Sequence, residues 1–185
     1  MKLKDKFNFD NPLYAPLRDS SRAVNNAYLV GNRFLDTTKE YVYIEQGLKH
    51  CSEIIHRQAH KFLSLLDNFG DMLHERHLMQ EYPETPELNW REELKDMDGV
   101  FDFITRVLEN VQEALEVFHK ATDNAEFRPM ALYTEELMLT NSQDHTKFLE
   151  MWAIYDQLNE KGGMSSATSF DSWCEKLLES EDDDE

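Results

Sequence analysis

The sequence predicts an all-α protein, an antiparallel helical bundle elongated around one long first helix. Three observations carry this. Glycine and proline are scarce, with six and five among 185 residues, so long stretches run without a helix breaker. Hydrophobic residues make up 41% of the chain, enough for a packed core. They recur at intervals of three or four, the spacing that keeps one face of a 3.6-residue helix turned one way. Strict alternation, the mark of a strand, is absent.

Residues 1–18 mix charge, aromatics and Pro12/Pro16 and read as an irregular N-terminal arm. Asp19-Ser20-Ser21 offers oxygen side chains that suit a helix N-cap. A stripe then runs through Ala23, Ala27, Val30, Phe34, Thr37, Tyr41, Ile44, Leu48, Cys51, Ile55, Ala59, Phe62, Leu66, Phe69 and Leu73. Its phase does not slip at Gly47, so residues 19–81 read as one helix of roughly 60 residues, about 90 Å at 1.5 Å per residue. Gly31, Gly47 and Gly70 are its expected bend points. A chain reversal at Gly47–Ser52 would make the continuity a coincidence and the fold a compact four-helix bundle.

Tyr82-Pro-Glu-Thr-Pro-Glu-Leu-Asn89 is a clear break. A second helix is expected over about 92–122, with Met97, Val100, Ile104, Val107, Leu108, Val111, Leu115 and Phe118 on one face. A third is expected over about 129–159, with Pro129 in its first turn. Together, 19–160 form the bundle domain. Residues 161–168, including Gly162-Gly163, read as a flexible linker, and 169–179 as a short amphipathic helix. There Phe170, Trp173 and Leu177 form either a docking peptide or a face folded back on the body. Residues 180–185 complete an acidic tail.

The chain carries 19 basic and 37 acidic residues, a net charge of −18. Naked nucleic acid, whose phosphates require clustered Lys and Arg, is not an expected partner. Binding to an anionic membrane surface is disfavoured on the same ground. A basic protein partner fits the charge better. The sequence opens with no signal peptide and contains no membrane-length apolar run, so a cytoplasmic location is expected. The two cysteines, Cys51 and Cys174, form no paired motif and read as free thiols.

Seven histidines among many carboxylates invite a metal. A di-iron bundle needs core-facing carboxylates, one Glu from each of two helices and Glu-x-x-His from each of the others. The nearest match is Asp71-x-x-His74. At 100° per residue, however, Asp67, Asp71 and His74 point away from the stripe, as do Glu109, Glu113 and Glu116. Only Glu45 and Asp144 fall near inward faces. His56 and His60 stand at i and i+4, a spacing that grips Zn²⁺ or Cu²⁺. They share the outer face with Asp67, Asp71 and His74, and these five are the candidate metal residues. His119 and His145 read as surface or boundary residues. No nucleophile elbow, catalytic cysteine or phosphate loop is present, and no reaction or cofactor is assigned.

The long first helix followed by two antiparallel helices resembles a BAR domain. The local carriers of this resemblance are Leu17-Arg-Asp-Ser-Ser21, its spacing to Gly47, and Lys61-Phe62 through Phe69-Gly70. The resemblance implies a dimeric crescent. The chain departs from it in a short third helix and in lacking a basic concave face. A second resemblance is to ferritin and Dps-type bundles, where the His56/His60 face would be a metal site at a subunit interface. The leading expectation is therefore a non-catalytic helical interaction and dimerisation module of BAR-like shape, without cofactor. The alternative is a ferritin-like metal-binding or iron-storage protein, with iron or zinc as its metal.

Overall fold

The computed structural model describes residues 14–75, 94–124, 126–160 and 166–182. The described residues form five helices: α1 Ala15–Ile44, α2 Lys49–Glu75, α3 Met97–Thr122, α4 Arg128–Glu160 and α5 Ser166–Asp182. The expected N-terminal arm, the Tyr82–Asn89 break and the end of the acidic tail lie largely outside these residues.

The all-α bundle is as expected, but the single helix over 19–81 is not. The chain reverses between Ile44 and Lys49, where Gly47 adopts φ 68°. That left-handed backbone carries no steric penalty for glycine alone. The unbroken stripe was a coincidence with an identifiable cause. On α1 the buried face is Leu17, Val24, Tyr28, Gly31, Leu35, Thr38 and Val42, one residue out of register with the apolar stripe. Ala23, Ala27, Phe34 and Tyr41 lie on its flank and Ile44 is 67% exposed. Leu48, Cys51, Ile55, Ala59, Phe62, Leu66, Phe69 and Leu73 of the second half are buried as expected.

Helix α1 also starts earlier than Asp19, with Pro16 in its first turn. Ser20 and Ser21 therefore sit inside the helix and donate to the carbonyls of Leu17 and Arg18, rather than capping it. Asp96 caps α3, accepting from the Gly99 amide at 2.8 Å. Pro129 lies in the first turn of α4, as its fixed φ favours.

Helix α1 packs on α2 and α3, and α3 packs on α4. Ring contacts fix the directions. Tyr14 meets Phe127 while Phe34 meets Phe103, so α1 and α3 are antiparallel. Phe69 of α2 meets Phe118 near the end of α3, so α2 and α3 run the same way.

Helix α5 folds back against α2 and α4, which answers the docking-peptide alternative. Phe170 is fully buried between Phe101 and Tyr155, and stacks with Trp173. Asp171 accepts from the His50 and Cys51 amides at 2.8 and 3.1 Å, and so caps α2 from another helix. The helix expected over 169–179 is longer at both ends because Ser166 and Ala167 extend it toward the bundle and Asp182 ends it on Arg57.

Candidate metal centre

The bundle interior is polar in places but poor in metal ligands. Its buried polar side chains are Ser20, Ser21, Asn25, Thr38, Ser52, Gln58, Thr105, Thr122, Thr134, Asn141 and Asp144. Most of the hydroxyls are spent on their own helices. Thr38, Thr105, Thr122 and Thr134 donate to the carbonyls four residues earlier, a local bond that keeps a hydroxyl satisfied in a core. Asn141 donates to the Leu108 carbonyl at 3.0 Å and to Gln112 at 3.2 Å.

Asp144 is the one buried carboxylate among the described residues. It accepts from Gln58 Nε2 at 2.9 Å and from Lys61 Nζ at 2.6 Å. Both oxygens are thus engaged, and the ammonium of Lys61 supplies the countercharge that a buried carboxylate needs. Glu45, the other expected inward carboxylate, is exposed. It sits at the C-terminal cap of α1, because the chain turns there instead of continuing as a helix.

Next to this pair the middle of the bundle is filled by rings. Phe62 packs edge-on against Tyr28 at 5.5 Å and lies so close to Gly31 that a Cβ there would meet its ring at 2.8 Å. Burial raises the Tyr28 phenol above the ordinary tyrosine range, with the nearby Tyr133 and Asp144 adding to the effect. Its hydroxyl has no hydrogen-bond partner.

The five candidate metal residues all lie on α2 and do not converge. His56 and His60 pack edge to face with centroids 4.4 Å apart. Beside them Lys39 Nζ lies 2.9 Å from His56 Nδ1 and 2.9 Å from Asp36 Oδ1, so an internal ammonium already bridges the nearest carboxylate to the imidazole. His60 faces a groove of about 950 Å³ that also meets Arg57, Lys61, Lys147 and Asp182.

Asp67, Asp71 and His74 are exposed. Asp71 lines a separate groove of about 430 Å³ with Glu75, Met130 and Tyr133. Asp67 is two helical turns from His60, about 10 Å along the axis. Among the described residues no three or more His, Cys, Asp or Glu side chains group closely enough to hold a metal ion. Elsewhere, His119 pairs with Glu135 at 3.0 Å, and His145 is half-buried.

No family model and no curated protein matches the chain. Solved structures do. Apo-ferritin from Pseudo-nitzschia multiseries superposes with a TM-score of 0.78 at 11% identity, over 85% of this chain and 98% of that one. The bundle has the ferritin fold. Two PmFTN variants soaked in iron match with TM-scores of 0.77 and 0.76 at 12% identity, each covering 84% of this chain and 97% of theirs.

The BAR-like reading is thereby overturned, and with it the interaction-module function and the coiled-coil shape built on it. A reversal at Gly47 and a ferritin-fold bundle leave no long helix to form a crescent. Of the two resemblances, the ferritin one is supported.

Four-helix bundles can hold a di-iron centre in their interior. That centre draws carboxylates and histidines inward from all four helices. Among the described residues one inward carboxylate is present, it is bound to Lys61 and Gln58, and Phe62, Tyr28 and Val107 occupy the adjoining space. The described residues do not fit an intrabundle di-iron centre.

Sequence periodicity put Asp67, Asp71 and His74 outside and Asp144 inside correctly. It missed Gln58, Lys61 and Tyr28 as one polar cluster around Asp144. Their proximity comes from the packing of α1, α2 and α4, which no spacing within one helix reveals.

Proposed function

We propose that the chain is a ferritin-like iron-binding subunit that handles iron as cargo on its acidic exterior within a self-associated assembly. The fold likeness to ferritins over nearly their whole length supports it most directly. The charge supports it too. With −18 on 185 residues the surface draws cations and raises their local concentration. Most described carboxylates face outward, including Asp67, Asp71, Glu109 and Glu113, where they can meet iron from solvent or from a neighbouring subunit.

The metal residues on α2 take a corresponding place in this reading. Neither His56/His60 nor Asp67, Asp71 and His74 completes a site within one chain, so each needs donors from a second copy. Self-association has a surface to use. Leu132, Leu139 and Leu149 on α4 are 46%, 62% and 44% exposed, and Tyr43 and Ile44 project from the end of α1.

The test uses the full-length protein, purified without added metal and then incubated with ferrous iron in air. The expected result is a self-associated species by light scattering that co-elutes with iron well above one equivalent per chain. His56→Ala with His60→Ala would reduce the iron retained. A monomer that keeps no iron through gel filtration would overturn the reading.

A further inference from the structure

The chain has two cysteines, and the fold puts them together. Cys51 lies in the first turn of α2 and Cys174 in the middle of α5, both with 0% exposure and neither in a disulfide. The Cys174 thiol is a hydrogen-bond partner of the Cys51 thiol. A second contact holds this alignment. Asp171, one turn before Cys174 on the same helix, bonds the Cys51 amide at 3.1 Å and the His50 amide at 2.8 Å, and its other oxygen lies 2.9 Å from His50 Nδ1.

We propose that Cys51 and Cys174 are an oxidisable dithiol, converted by hydrogen peroxide into an intramolecular disulfide that staples α5 to the start of α2. The proposal does not depend on the iron-binding reading. In the first step one sulfur, as thiolate, attacks a peroxide oxygen. The S–O bond forms, the O–O bond breaks, and the departing hydroxide takes up the released proton as water, leaving a sulfenic acid. In the second step the other thiol attacks that sulfur. The S–S bond forms, the S–O bond breaks, and a second water leaves with the remaining thiol proton. Each sulfur loses one electron and the peroxide gains two.

Docked, the pair is protected. The hydrogen bond that the protonated Cys51 thiol makes to Cys174, and then burial, hold Cys51 well above its usual range, so little Cys51 thiolate exists to react. Reaction therefore begins when α5 lifts, and the disulfide closes when it returns, because docking brings the two sulfurs side by side. Helix α5 is suited to such opening. It rests on the body through one face, Phe170, Cys174 and Leu178, together with the Asp171 cap and the Arg57–Asp182 pair.

The experiment exposes native full-length protein to hydrogen peroxide, followed by intact-mass analysis and unreduced peptide mapping. The expected result is loss of both thiols with two hydrogens of mass, and one linked peptide pair joining residues 51 and 174 within a single chain. Asp171→Asn, which weakens the cap, should speed formation of the same linkage several-fold. In Cys174→Ser the remaining thiol should stop at a sulfenic acid trapped by dimedone. Crosslinks between chains, over-oxidation without the 51–174 pair, or thiols that survive peroxide sufficient to oxidise the urea-unfolded chain would each overturn the proposal. The wild-type mapping needs no variant to fold.

Discussion

Replacing Tyr28 by Phe is expected to stabilise the protein, a direction opposite to most core substitutions. The ring is fully buried and would keep its edge-on contact with Phe62. The hydroxyl it would lose has no partner. A buried, unpaired hydroxyl costs about 1–3 kcal/mol relative to water, and the van der Waals contacts of one oxygen return only a few tenths. The net gain is about 1–2 kcal/mol, which in a chain of this size raises Tm by about 2–8 °C. The substitution should also change the alkaline response. Burial holds the folded-state pKa of Tyr28 above its ordinary value of about 10, so the unfolded chain surrenders its phenolic proton first. Stability is therefore complete below pH ~10 and declines above it, by up to about 1.4 kcal/mol per pH unit for such a group. Tyr133 and Tyr155 are shifted upward as well, chiefly by burial, so the variant should show a shallower alkaline decline and not a flat one. Calorimetry at neutral pH and urea titrations at several alkaline pH values measure both effects. A lower Tm at neutral pH would refute the claim that this hydroxyl is unsatisfied.

The other expectations concern packing and caps. Gly31→Ala forces a methyl against the Phe62 ring at 2.8–2.9 Å and Val107 at 3.1 Å, and should destabilise by about 1–3 kcal/mol in urea unfolding. Gly47→Ala meets no neighbouring atom but must adopt φ 68°, so about 1 kcal/mol should be lost through backbone strain alone. Asp171→Ala removes the acceptor for two α2 amides. It should cost about 1–2 kcal/mol and raise hydrogen exchange at residues 50 and 51 and along α5 before it affects α3. Lys61→Met leaves the buried Asp144 carboxylate with Gln58 as its remaining partner. A loss of about 2 kcal/mol is expected, because a buried charge stripped of its counterion is costly; Lys61→Met combined with Asp144→Leu should recover most of it.

Helix content was legible because periodicity is local, and α3 shows how far that goes. The spacing places Met97, Val100, Ile104, Leu108, Val111, Leu115 and Phe118 on one face, and they are buried there. Helix α1 shows the limit. Its buried face interleaves Leu17, Val24, Tyr28, Leu35 and Val42 with Ser20, Ser21, Asn25, Gly31 and Thr38, so polar and small residues interrupt the apolar pattern. The stripe through Ala23, Ala27, Phe34 and Tyr41 follows the half-buried flank one residue away, and from there it happens to join the true face of α2 in phase. The turn at Gly47 was hidden for this reason. The meeting of Cys51 with Cys174 was hidden for another: it depends on α5 returning to α2, and helical spacing says nothing about which helices meet.

The same packing bears on the proposed handling of metal. A helical bundle requires only that inward faces be apolar and complementary, which is why a ferritin fold is compatible with 11–12% identity. An internal metal centre requires much more, namely several ionised donors whose desolvation is repaid by the ion. In this chain the interior has been committed elsewhere. Phe62 reaches the bundle axis because Gly31 has no side chain, and Asp144 is neutralised by Lys61. Introducing carboxylates at single positions would bury charge against a ring and an ammonium already in place, so no single substitution could open such a centre. The iron handling proposed above therefore rests on the exterior, where the excess negative charge is already solvated and where a second copy would supply the donors that α2 lacks.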